Sequence, residues 1–302
     1  MKLRGCGTAL VTPFRSDGSL DERALRSLVD WQIESGIDFL VPCGTTGETP
    51  TLSDKEWLEV IRITIDVNAK RVPIVPGATS NSTRHAVEMA RTLAELPGVD
   101  AILTASPYYN KPTQEGQYLH FRAIAESMSK PVVLYNIPGR TGINLEPATV
   151  TRLSAIPNIV AVKEASGNIA QIAEIVTSTP ENFTVLSGDD AATLGVIGVG
   201  GMGLISVASN ALPAEMAAMT RAALEGDWTR ARAIQRKLFP LLQAFFIEAN
   251  PIPIKAALAM MGRIEESYRM PLCPMKEENR AKLEKIAASA GLLAGAAVLR
   301  AG

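Results

Sequence analysis

The sequence predicts an α/β fold, a closed (β/α)8 TIM barrel with a C-terminal helical extension, and three observations predict it. Short apolar, β-branched runs recur eight times. Amphipathic stretches of helical period separate them, and each run ends in glycine, proline, serine or threonine as βα turns do. The runs fall at 8–11, 39–41, 72–75, 101–104, 132–135, 159–163, 184–186 and 203–206. Their nearly continuous apolar character suits parallel strands buried on both faces. Eight alternating units favour closure over an open, doubly wound sheet, the other architecture that alternation allows.

Local signals place the helices between these runs. Ser53-Asp54-Lys55-Glu56 reads as a capping box, in which serine and glutamate reciprocally satisfy amides left free at a helix start. Pro147 suits a first helical turn, where no amide hydrogen is needed, and Gly36 suits the left-handed residue after a helix. From Asp227 the alternation stops. The division expected is therefore a barrel over 1–226 and a helical region packed on it over 227–302, broken by Pro240, Pro251, Pro253, Pro271 and Pro274. The apolar tail from Gly291 to Gly302 reads equally as a docked helix or a frayed end.

Composition narrows the chemistry. The 302 residues are 47% hydrophobic and 20% charged, and 30 Lys and Arg against 31 Asp and Glu leave a net charge of −1. No basic field exists for nucleic acid or an anionic membrane, so neither is an expected partner. No stretch reads as a membrane span or secretory signal, which points to the cytoplasm. Cys6, Cys43 and Cys273 are few and widely spaced, as buried reduced thiols are. With His85 and His120 the only histidines, a multi-histidine zinc site has no ligands, so a metal-free mechanism is expected. Gly198-x-Gly200-x-x-Gly203 matches the dinucleotide pattern but precedes a strand instead of following one, so no nucleotide cofactor is expected.

Polar residues at the carboxyl ends of barrel strands face the substrate. Lys163 ends the run Ile159-Val160-Ala161-Val162, an apolar setting that disfavours its ammonium and favours a nucleophilic free amine. The plainer alternative is a strand-end lysine reaching solvent. Tyr135 ends the preceding run, where its phenol would relay protons, or would sit in the core with a satisfied hydroxyl. Gly44-Thr45-Thr46-Gly47-Glu48 combines close backbone approach with two hydroxyls, a cradle for a small carboxylate or an ordinary βα turn. Arg140 offers a planar fork for a carboxylate, although an unaided loop arginine is usually a solvated charge.

Taken with Tyr108-Tyr109-Asn110-Lys111-Pro112, Tyr135-Asn136-x-Pro138, Lys163-Glu164-Ala165-Ser166-Gly167 and Ser187-Gly188-Asp189-Asp190, the Gly44 to Glu48 motif resembles the dihydrodipicolinate synthase and N-acetylneuraminate lyase family. The order and spacing match over roughly residues 4 to 290. The resemblance implies a class I, metal- and cofactor-free mechanism with Lys163 as Schiff-base nucleophile. It makes Tyr135, Thr45 and Tyr109 a proton relay, with Tyr109 reaching a neighbouring subunit's site, and gives Thr45 and Thr46 the pyruvate carboxylate. Gly188 and Ile205 would flank the nucleophile through their carbonyls. A shared tyrosine implies a homo-oligomer, a tetramer built as a dimer of dimers.

Arg140 implies the synthase branch. Pyruvate and L-aspartate 4-semialdehyde would then condense to 4-hydroxy-tetrahydrodipicolinate, on the diaminopimelate route to lysine. The competing activity is a lyase of 2-keto-3-deoxy sugar acids or N-acetylneuraminate-type substrates, and the non-enzymatic alternative is a keto-acid sensor. Asn81 and Tyr108 match the lysine-inhibited members, but His85 stands where those carry a glutamate, and Asp54 and Trp57 replace histidines found in some of them. Weak or absent feedback inhibition by lysine is the expectation, since an imidazole supplies no carboxylate attraction.

Overall fold

The computed structural model describes residues 3–293. Seven parallel strands run in the order β2-β1-β7-β6-β5-β4-β3. They are β1 (Gly5–Ala9), β2 (Phe39–Val41), β3 (Ile102–Ala105), β4 (Val132–Asn136), β5 (Ile159–Glu164), β6 (Thr184–Ser187) and β7 (Gly203–Ser206). The run expected at 72–75 is not a regular strand. Pro73 and Pro76 have no amide to donate, so the segment forms the isolated bridges Leu40 to Ile74 and Gly77 to Leu103 in place of a regular ladder. Val75 N donates to Leu40 O at 2.8 Å and Leu103 N to Pro76 O at 2.9 Å, which fills the gap between β2 and β3. The barrel closes with seven regular staves and one irregular one.

The first strand lies at Gly5–Ala9, earlier than the run at 8–11. Gly5 and Gly7 weaken the strand signal, yet a Cβ on Gly7 would lie 2.1 Å from the Phe39 ring, which takes that space inside the barrel. Inward residues alternate along the strands. Val133 and Tyr135, Ala161, Leu186 and Ile205 share one buried cluster with Phe39, Val41 and Leu103. Two residues beyond Ala161, on the same face by the period of two, stands Lys163.

The helices are α1 (Glu22–Glu34), α2 (Asp54–Asn68), α3 (Thr83–Ala94), α4 (Gln114–Glu126), α5 (Pro138–Thr141), α6 (Pro147–Ser154), α7 (Ile169–Ser178), α8 (Thr193–Gly198), α9 (Pro213–Leu224), α10 (Trp228–Ala244), α11 (Ile252–Met260) and α12 (Glu277–Ser289). The capping box at Ser53 and Glu56 forms, Pro147 opens α6, and Gly36 takes φ +87 after α1. Pro240 does not break the chain but lies inside α10. Burial of Leu238, Leu241 and Leu242 on α10 outweighs the roughly 3 kcal/mol an internal proline costs. Residues of α10, α11 and α12 share one apolar cluster with the helices of the barrel. Most of the apolar tail, 294–302, lies outside the described residues.

Among the described residues, no helix is long and apolar enough to cross a membrane. Cys6 and Cys43 are buried thiols, whereas Cys273 is exposed, contrary to its expected burial: it sits in a proline-flanked loop rather than in an element.

Candidate active site

Lys163 sits 5% exposed near the carboxyl end of β5, in register with Tyr135 on β4 and Leu186 on β6. Its Nζ lies 4.1 Å from the centroid of the Tyr135 ring. Burial pulls the amine from the usual 10.5 to about 7; the buried Asp190 carboxylate opposes that shift and Arg140 adds to it. At neutral pH a large share of Lys163 is therefore free amine, the form that attacks a carbonyl.

Gly188 follows β6, its amide donating to Glu164 O at 2.7 Å. A Cβ there would stand 3.1 Å from Cγ and Cε of Lys163 and 2.8 Å from Cβ of Ala165. Only glycine lets the β6 end approach the lysine shaft this closely. Ile205, fully buried on β7, belongs to the interior cluster that contains Tyr135.

A cavity of about 400 Å³ opens on this end of the barrel, and Thr45, Tyr135 and Arg140 contribute to its wall. Burial raises Tyr135 above the usual phenol range, opposed by the Arg140 charge and by the neighbouring Thr45 side chain. Tyr135 thus stays protonated and can donate. Thr45 and Thr46 lie in a 3₁₀ turn, Thr45–Gly47, closed by the Glu48 amide, which donates to Thr45 O at 3.1 Å. The Thr46 hydroxyl accepts from Asn250 Nδ2 at 3.0 Å. Arg140, on the short helix α5, donates from Nη2 to Asn250 O at 3.0 Å. Tyr108 also lines the cavity, whereas Tyr109 points away, 87% exposed at φ 72. His85, Asp54 and Trp57 line the same cavity.

Seven of the eight expected site residues therefore gather at one end of the barrel, and Tyr109 stands apart from them. The residues that hold them, Asn136, Glu164 and Asp190, stand in the motifs quoted from the sequence but received no role there. Asp190 is fully buried, accepting from Ser206 Oγ at 2.5 Å and from the amides of Val207 and Ala208 at 3.1 Å each. Glu164, raised by burial, accepts from Asn136 Nδ2 at 3.0 Å and from the Ser166 amide at 2.9 Å. Asn136 Oδ1 in turn receives the Leu145 amide at 2.9 Å, which tethers the segment carrying Arg140 to the lysine strand.

Lys255, on α11, is a second buried lysine. It too follows apolar residues, Ile252-Pro253-Ile254, so the signal that singled out Lys163 also marks it. The two differ in partners: Lys255 Nζ is paired with the Glu48 carboxylate at 2.5 Å, and no salt bridge among the described residues involves Lys163. A paired ammonium is a poor nucleophile; an unpaired, desolvated amine is a good one. No group of three or more His, Cys, Asp and Glu among the described residues has the geometry of a metal site.

A parallel barrel with one desolvated, unpaired lysine beside a buried tyrosine and a hydroxyl turn defines the class of Schiff-base lyases. The sequence profile of the dihydrodipicolinate synthetase family matches residues 2–290, and the chain belongs to that family. The 4-hydroxy-tetrahydrodipicolinate synthase of Koribacter versatilis is 67% identical over 298 residues, covering 99% of each chain. That of Acidobacterium capsulatum is 62% identical over 294 residues, 97% of each chain. The crystal structure of dihydrodipicolinate synthase from Thermotoga maritima superposes with a TM-score of 0.95 at 40% identity, over 97% of this chain and all of the other.

Proposed function

We infer that the chain is a Schiff-base lyase that condenses pyruvate with L-aspartate 4-semialdehyde to 4-hydroxy-tetrahydrodipicolinate, in the diaminopimelate route to lysine. The observation that carries this reading is the unpaired, buried amine of Lys163 against the Tyr135 ring, which shares a cavity wall with Arg140, in a chain 67% identical to a synthase of that name.

The Lys163 amine adds to the pyruvate ketone, and loss of water leaves an iminium ion. Tyr135, with Thr45 behind it and Tyr109 of a neighbouring subunit beyond, passes the protons that addition and dehydration require. Thr45 and Thr46 hold the pyruvate carboxylate with hydroxyl and amide donors. Loss of a proton from the methyl group gives the enamine, whose carbon attacks the aldehyde held by Arg140 through its carboxylate. The amine of the second substrate then adds to the iminium carbon and expels Lys163 as free amine, closing the ring. The carbonyls of Gly188 and Ile205 orient the nucleophile throughout. No cofactor or metal enters any step.

The exposure of Tyr109 supports assembly into a homotetramer, a dimer of dimers in which that ring completes a partner's site. Among the described residues the barrel runs to 226 and the helical region from 227 to 293 packs on it, and the enzyme works in the cytoplasm. Borohydride reduction in the presence of pyruvate, followed by peptide mass spectrometry, tests the chemistry. The pyruvyl adduct is expected on the peptide containing Lys163, with turnover when aspartate semialdehyde is supplied. An adduct elsewhere, or turnover by Lys163→Ala, refutes the assignment.

A further inference from the structure

We propose that Glu48 and Lys255 are positioning residues for the pyruvate cradle: a buried ion pair through which helix α11 sets where the Thr45 and Thr46 hydroxyls stand. The proposal rests on the reading of that turn as the carboxylate site. Glu48 comes directly after the turn, in the left-handed region at φ 53, and its amide closes it. Wherever its side chain is held, the turn is held too.

Both carboxylate oxygens are engaged out of contact with solvent. Oε1 accepts from Lys255 Nζ at 2.5 Å and Oε2 from the Arg269 amide at 3.3 Å, and neither side chain of the pair has any exposed surface. The ammonium is packed 4.5 Å from the Phe14 ring and 5.4 Å from the Tyr268 ring. The partners lie 207 residues apart in the chain.

A buried pair of this kind gives back in attraction little more than it loses in hydration, so fold stability alone is a weak account of it. What it does supply is a fixed distance and direction that apolar contacts leave loose. The same C-terminal segment makes a second tie, in which Asn250 donates to the Thr46 hydroxyl and accepts from Arg140. The region after the barrel thereby holds both carboxylate-binding groups in register.

The test compares wild type with the apolar double substitution Glu48→Leu/Lys255→Met, which removes both charges together. The expected result is an unchanged circular dichroism spectrum, a KM for pyruvate raised roughly tenfold or more by the misplaced cradle, and a KM for aspartate semialdehyde within about twofold of wild type. A folded double variant with normal pyruvate KM overturns the proposal, as does an equal rise in both constants. Should that variant fail to fold, Glu48→Asp keeps the charge and shortens the tie by one methylene; a raised pyruvate KM supports the proposal and a normal one overturns it. Borohydride trapping on wild type separates the two readings. Loss of the Lys163 adduct sinks the lyase assignment, whereas a normal adduct with normal variant KM sinks only the positioning role.

Discussion

The pH dependence of imine formation follows directly from the burial of Lys163. At the ordinary value of 10.5 about one amine in three thousand is unprotonated at pH 7, and at about 7 roughly half is, a gain of about 10³ in nucleophile. The observed rate of borohydride trapping at subsaturating pyruvate should therefore rise with pH and level off around a midpoint near 7. Two substitutions move that midpoint in opposite directions. Asp190→Asn removes the anion that favours the ammonium and should lower it; Arg140→Met removes the cation that disfavours it and should raise it. Rapid-quench reduction between about pH 5.5 and 9.5 reads all three profiles. A rate that keeps rising tenfold per pH unit through pH 9 would mean an ordinary solvated lysine and refute the reasoning.

Four further outcomes are expected. Lys163→Met should abolish turnover while stabilising the fold by about 4 kcal/mol at pH 7. Because burial lowers the amine's pKa, wild type carries that penalty fully below about 7 and sheds it as pH rises towards 10.5, so the gain must vanish at alkaline pH in denaturant titrations. His120 is buried with its Nδ1 2.9 Å from Thr83 Oγ1, and burial lowers it to about 4. Stability supplied by its neutral form is present above about pH 6.5 and is lost as pH falls towards 4. The loss at pH 5 is about 2 kcal/mol, which His120→Asn should remove from the urea midpoint profile. Gly188→Ala forces a Cβ against the Lys163 shaft and should cut kcat/KM roughly 10²-fold, measured at saturating aldehyde. Millimolar lysine should leave the rate unchanged, because the Asp54 carboxylate on that side of the cavity is exposed and screened while His85 offers none; strong inhibition in a steady-state titration would contradict this.

Lys163, Tyr135 and the hydroxyl turn were legible because each stands at the polar end of an apolar strand, where the period of two fixes the face. Lys255 showed the same local pattern and was passed over. Its partner Glu48 is far away in sequence, and pairing across a fold leaves no trace in local periodicity. The stave containing Ile74 was legible as apolar but not as irregular, since hydropathy does not register the donors Pro73 and Pro76 lack. The first strand was set late because Gly5 and Gly7 look like loop residues until the Asp38 carboxylate is seen against Gly5 and the Phe39 ring against Gly7. Pro240 was read as a break because propensity reports the missing bond and not the apolar surface that holds α10 in place.

The uneven stitching of the barrel divides its labour. Tyr135 and Lys163 stand on β4 and β5, whose ladder runs in register from Val133 and Ala161 to Asn136 and Glu164. Gly77, Thr79 and Ser80, which border the cavity, follow the one stave that prolines leave half-laced. The amine and the phenol are thus mounted on paired strands, whereas one border of the cavity is carried by a segment held through isolated bridges.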